Sequence, residues 1–226
     1  VPGYDLPSSR AAVALAAAHP GTIQAAVGIH PHFAAEASEA AWDELAALAE
    51  AAAVVAVGEI GLDFHRNLSA PRAQRAAFDR QLALAAWLDK PVLVHDREAH
   101  AEIREALLAH RSSGGNNTIR GVLHAFSGDA SMAAELTAAG YLISFALPVA
   151  FRSAAGPRAA AQAIPSGSFL VETDSPWLAP GGAAQRNEPT TALRVAAELA
   201  RLRGVAAEVI AADVRLAYDR LVGVSD

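Results

Sequence analysis

The stretch "VVAVGEIGLDFHR", residues 54–66, starts as a strand buried on both faces and then sets a carboxylate where another valine is expected. An isolated ionised carboxylate in an apolar interior costs more than a fold can carry, so Glu59 needs a cation, a hydrogen-bond network or a metal beside it. Gly58 and Gly61 flank the acid closely and let the backbone approach a neighbour there. The rest of the chain has to supply the partner.

Working outward from residue 54, six short apolar runs read as buried strands, at 24–30, 54–59, 91–96, 121–127, 141–146 and 169–174. Helical patterns lie at 37–53, 70–89, 98–110, 130–139 and 154–163, with two more after residue 188. Near-continuous apolar strands alternating with helices predict an α/β fold with a parallel sheet, either doubly wound or a (β/α) barrel. The glycine-rich stretches "SSGGNN" (112–117) and "PGGAAQ" (180–185) are short enough to be loops. Trp42, Trp87 and Leu84 read as core or helix-sheet packing.

Five of the six strands finish in a potential ligand: His30, Glu59, His95, His124 and Asp174. The chain has 8 histidines and 24 acidic residues among 226, about one residue in seven, so five such endings exceed chance. Active sites of (β/α) barrels gather residues from the C-terminal ends of several strands, and this pattern favours a barrel over an open sheet.

Composition removes several chemistries. With no cysteine, disulfides, thiolate nucleophiles and thiolate metal sites are excluded. The net charge of −6, without basic blocks, argues against tight non-specific binding along a nucleic-acid backbone but allows an encounter with a strand end. The chain has no G-x-S-x-G elbow, no G-x-x-x-x-G-K-[ST] loop and no G-x-G-x-x-G fingerprint. No apolar run approaches the roughly 18 residues of a membrane span, and the expected location is the cytoplasm.

Glu59, His95, His124 and Asp174 together make the donor set of a hydrolytic centre holding one or two divalent ions. Each has a plainer reading alone: His95 as a satisfied core histidine, Asp174 as a turn cap. His30 and His32 in "GIHPH" either meet a substrate phosphate or are merely exposed. Arg97, two residues after His95, suits a phosphate or a neighbouring acid. Asn187 in "RNEP" is either a substrate contact or a helix cap.

In this order and with these gaps, "GIHPH", "GEIGLDFHRN", "PVLVHDREAH", "LHAFSGD", "LVETDSPWLAP" and "RNEP" resemble the TatD family of metal-dependent deoxyribonucleases, within the amidohydrolase-like superfamily. The resemblance covers nearly the whole chain. It implies a TIM-like barrel and a divalent-metal phosphodiesterase acting on DNA, with 3′ to 5′ exonuclease character on single-stranded 3′ ends. By motif, Glu59 would bridge two metals, His95 and His124 would complete one site, and Asp174 would serve the other and take the proton of water. His32, Arg97 and Asn187 would contact substrate. Magnesium, manganese and zinc all suit such donors.

One departure stands out. Family members usually begin with a strand carrying H-x-H, followed by a helix and a second strand, whereas this sequence starts at Val1 and "SSRAAVALAAAHP" resembles the helix after that second strand. The expectation is one TatD-like domain over residues 1–226, lacking the first β-α-β segment and exposing a sheet edge. Two alternatives follow: a hydrolase of a small ester, amide or aminoacyl-tRNA using the same ligands, and an inactive scaffold that lost its H-x-H segment.

Overall fold

A computed structural model of the chain describes residues 1–110, 119–182 and 184–223. The stretch 112–117 and residue 183 of the second glycine-rich stretch lie outside the described residues. The chain divides into two compact units, Val1–Gly121 and Val122–Asp226. Among the described residues, no helix is long and apolar enough to cross a membrane.

In the first unit, helix α1 (Leu6–Ala18) opens on a reciprocal cap, in which Asp5 accepts from the Ser8 N–H at 2.8 Å while Ser8 Oγ accepts from the Asp5 N–H at 3.0 Å. Strand β1 (Ala25–Val27), helix α2 (Glu39–Ala49), strand β2 (Val54–Asp63), helix α3 (Pro71–Leu88), strand β3 (Val92–Arg97) and helix α4 (His100–Ala109) follow. β2 pairs in parallel with β1 on one side and β3 on the other. The sequence pattern ends β2 at Glu59, but the strand runs on to Asp63 because Gly61 permits it. A Cβ on Gly61, at φ +135°, would lie 2.0 Å from the His95 carbonyl oxygen. Val27, Leu45, Val57, Ile60, Val92, Val94, Ile103 and Leu107 are at most 2% exposed and form the core, each contributing about 1.5–3 kcal/mol relative to exposure.

The edge expected to be open at β1 is partly occupied. Residues 1–3 run beside that strand, with Pro2 bridging Ala26 in parallel; the Gly3 N–H donates to Ala26 O at 2.8 Å and the Ala26 N–H to Val1 O at 3.1 Å. These pairings satisfy backbone groups that an edge strand leaves bare. Trp42 is buried beneath the guanidinium of Arg80. Trp87 corrects the packing expectation, since it is 68% exposed on α3 while Gln81, Leu82 and Ala85 form the inward face.

Strand β4 (Gly121–Leu123) crosses the boundary of the units; helix α5 (Ala130–Ala138), strand β5 (Tyr141–Phe145), helix α6 (Ala155–Ala163), strand β6 (Phe169–Val171), helix α7 (Ala192–Arg203) and helix α8 (Ala207–Leu221) complete the second. β5 and β6 pair in parallel. Asp129 caps α5 through the Met132 N–H at 2.9 Å, and Gly204 ends α7 in the left-handed region at φ +66°.

Glu198 of α7 accepts from Arg201 at 2.6 and 2.8 Å and from Arg158 of α6 at 2.7 Å. Hydrogen bonding to Arg201, reinforced by Arg158 against the opposing effect of burial, holds its carboxyl down at about 2 against an ordinary 4.5. Stability from a depressed carboxyl is fully present above the unfolded value and disappears as pH falls through the folded one. Glu198→Gln is therefore expected to cost about 1 kcal/mol at neutral pH, allowing for solvent screening. Thermal melts of both proteins should converge as pH falls from 4.5 towards 2.

Candidate metal centre

Strand β2 carries the heart of the first unit's site. Side chains alternate along a strand, so Glu59, Gly61 and Asp63 share one face, and Gly61 lies in register with His95 on β3. Glu59 Oε1 stands 3.1 Å from His95 Nδ1 and 3.4 Å from His30 Nε2. Among the described residues, His30, Glu59 and His95 offer ligand atoms all within 4.8 Å of one another. This cluster is the partner that a carboxylate at position 59 requires.

The three are not equivalent. His30 is 7% exposed, and burial lowers its pKa although Glu59 acts to raise it, so the ring is neutral with a single proton. Its Nδ1 accepts from the His32 N–H at 3.2 Å, which leaves that proton on Nε2, facing Glu59. In this arrangement His30 donates to Glu59 and steadies it, while Glu59 and His95 are the donors suited to an ion. His32 Nε2 is 2.7 Å from Asp63 Oδ2, and Arg97 is exposed at the end of β3.

Two buried glutamines on α3 fix the backbone beneath this cluster. Gln81 Oε1 accepts from the Ile29 N–H at 2.7 Å and its Nε2 donates to Ile29 O at 3.0 Å. Gln74 treats Asp63 in the same way, at 2.8 and 3.1 Å.

In the second unit, His124 follows β4 directly, and its Nδ1 is 2.8 Å from Glu172 Oε1. The same oxygen accepts from the Ala125 N–H at 2.9 Å, while Ser144 Oγ donates to Oε2 at 2.5 Å. Burial pushes the Glu172 carboxyl up, but His124, Ser144 and the Ala125 N–H outweigh it and hold the group ionised. A carboxylate on Nδ1 leaves Nε2 as the ligating nitrogen of His124. Asp174 lies beyond β6 at φ +59°, and Ala125 at φ +42°, both in the left-handed region that side chains avoid. Such backbone collects where structure is held for function.

Asn187 is 2% exposed, and its amide donates to Thr173 O at 2.6 Å and Leu178 O at 3.3 Å. It does not cap a helix: its Oδ1 accepts from the adjacent Glu188 N–H at 2.9 Å, and Glu188 and Thr191 are the cap residues of the short 3-10 turn at Pro189–Thr191 and of α7. Its side chain braces the segment that carries Asp174.

Residues 1–223 match the family model described as TatD related DNase. The chain belongs to the TatD family. The 3′-5′ ssDNA/RNA exonuclease TatD of Pectobacterium atrosepticum is 37% identical over 210 residues, covering 90% of this chain and 79% of that protein. The uncharacterized metal-dependent hydrolase YabD of Bacillus subtilis is 34% identical, covering 93% and 81%. The crystal structure of the TatD homologue YJJV from Escherichia coli K12 superposes with a TM-score of 0.89 at 32% identity, over 100% of this chain and 86% of that one. The α/β fold of TIM-like barrel type and metal-dependent hydrolytic chemistry accompany TatD membership.

Within the TatD motifs, the pattern of strand-end ligands missed Asp63, Glu172 and the donor role of His30. Asp63 was within reach of the period-2 rule, since it continues the face of Glu59 by four residues. Glu172 precedes Asp174 by two, but nothing local reveals that it turns towards His124.

Proposed function

We propose that this chain is a divalent-metal-dependent phosphodiesterase that removes nucleotides from the 3′ end of single-stranded DNA, and of RNA by likeness to the Pectobacterium enzyme. The observation that carries the reading is the convergence of Glu59 and His95 at 3.1 Å, steadied by His30. One carboxylate oxygen and an imidazole nitrogen facing each other across that gap fit a divalent ion, and the mixed donors suit magnesium, manganese or zinc. A divalent ion supplies Lewis acidity, making water acidic enough to deliver hydroxide near neutral pH and offsetting charge on the phosphoryl group.

The chain's own residues do the rest. In the first unit Glu59 and His95, through Nδ1, would hold an ion, and in the second His124, through Nε2, and Asp174 would serve as metal ligands. The Asp174 carboxylate takes the proton of the attacking water. His32 and Arg97 donate to phosphate oxygens and orient the scissile bond. Asn187 keeps the Asp174 segment in place rather than meeting substrate. The same reading puts the protein in the cytoplasm, with its nucleic-acid substrate.

Oligonucleotides labelled at one end test polarity and substrate class together. A 5′-labelled single strand incubated with manganese is expected to give a ladder of progressively shorter labelled products, whereas a 3′-labelled strand releases its label in the first product. Turnover of an ester or aminoacyl-tRNA panel with no cleavage of either strand would replace this reading by a small-substrate hydrolase.

A further inference from the structure

We infer that a cavity at the start of α7 is a subsite for a backbone phosphate of the single-stranded substrate, other than the phosphate under attack. Arg186 and Arg194 grip that phosphate as cations, and the Thr191 hydroxyl donates to it. The inference rests on the nuclease reading for the identity of the strand, and it concerns residues outside the candidate metal ligands.

The cavity lies within the second unit and measures about 220 Å³. None of the candidate metal ligands borders it. Arg186 and Arg194 do, and neither has a hydrogen bond or an ion pair with any described residue. Other arginines of this unit are occupied by the fold: Arg158 and Arg201 hold Glu198, and Arg203 donates to the carbonyls of Ala161 and Ile164. Glu188, the carboxylate on the same rim, pairs with neither free guanidinium.

Thr191 borders the cavity too, although it is only 7% exposed. It occupies the N-cap position of α7, yet its hydroxyl caps nothing and has no other partner among the described residues. Buried hydroxyls are normally satisfied, so this one is left to serve what enters the cavity. Two guanidiniums without acids favour an anion with several acceptor oxygens, and the uncapped start of α7 adds partial positive charge. A phosphate meets all three demands.

The neighbouring segment marks that phosphate as part of a strand. The Asn187 N–H donates to Pro176 O at 2.9 Å, and this bond joins the segment carrying Arg186 to the one carrying Trp177. Trp177 is 71% exposed and offers an indole face on which a base can stack whatever its identity. With a net charge of −6, the chain has little general attraction for a nucleic-acid backbone, so a local pair of arginines is what can hold one.

Fluorescence anisotropy of a labelled oligothymidylate, protected at its 3′ end by phosphorothioates, reads binding to the manganese-loaded full chain without cleavage. Arg186→Gln combined with Arg194→Gln is expected to weaken binding by about tenfold or more. The plot of log affinity against log salt should become shallower by about 0.7, the contribution of one phosphate on a single strand. Thr191→Val keeps the shape and loses only an unpartnered hydroxyl, so binding should weaken by about tenfold at an unchanged melting temperature. Arg215→Gln on α8, which removes a positive charge elsewhere in the unit, should leave the affinity as it is. Unchanged affinity and salt slope in the arginine and threonine variants overturn the inference, and so does equal weakening by Arg215→Gln. Inorganic phosphate bound in titration calorimetry, with strand affinity unmoved by the substitutions, would mean a free-anion site and overturn it as well. Thr191→Val decides even if the double variant fails to fold. A wild-type protein that cuts strands while the variants bind normally would sink this subsite and leave the nuclease reading standing; one that binds strands in the expected pattern and cuts none would do the reverse.

Discussion

Glu59→Gln is expected to lower hydrolysis of single-stranded DNA by about a thousandfold at saturating metal, close to 4 kcal/mol of transition-state stabilisation. Glutamine has the same shape, still accepts from the His30 Nε2–H, and keeps the register of β2. What it lacks is the negative charge that would draw a divalent ion to the 3.1 Å gap between Oε1 and His95 Nδ1. Because the variant removes a charge from a largely buried position, its melting temperature without metal should equal or exceed that of the wild type. Rates and melts measured side by side separate lost chemistry from lost folding. Wild-type rates in a variant with full metal supply would remove Glu59 from the mechanism.

Removal of divalent ions is expected to bring hydrolysis to background, with recovery on adding back magnesium, manganese or zinc. An ion that binds the folded chain and not the unfolded one also stabilises it, by about 2.7 kcal/mol at a hundred times its dissociation constant. The melting temperature should therefore rise with metal concentration in the wild type and rise much less in Glu59→Gln. Elemental analysis after gel filtration gives the stoichiometry. A protein that takes up no divalent ion and shows no thermal shift would be a scaffold without catalysis.

The legible part of this molecule is the part written in short periods. Apolar runs alternating with helical patterns place β1 to β6 and the helices between them, and ligands at strand ends follow because a barrel site is a property of those ends. Glu59 stands out since one residue violates an otherwise apolar run. Asp63, Gln74 and Gln81 are harder to see, because a buried polar residue on an otherwise regular face reads as ordinary solvent-facing sequence until its partner is known. The partner of Gln81 is the backbone of Ile29, fifty-two positions away, and any residue type there offers the same N–H and carbonyl. Backbone recognition leaves no trace in the identity of what is recognised. The exposure of Trp87 is hidden for the converse reason: an apolar residue on a helix carries no mark of which side it faces.

The two glutamines of α3 stand seven residues apart, two turns along one helix face, and each grips a different strand end. This makes α3 a ruler. Its length between positions 74 and 81 is quantised, because one inserted or deleted residue would swing one glutamine by about 100° and free the loop that it holds. Its outer surface, where Trp87 lies in solvent, carries no such restriction. Drift in this helix should therefore conserve spacing while letting the exterior vary, so that lineages diverge in what they display to the outside long before they can alter the distance between the two loops.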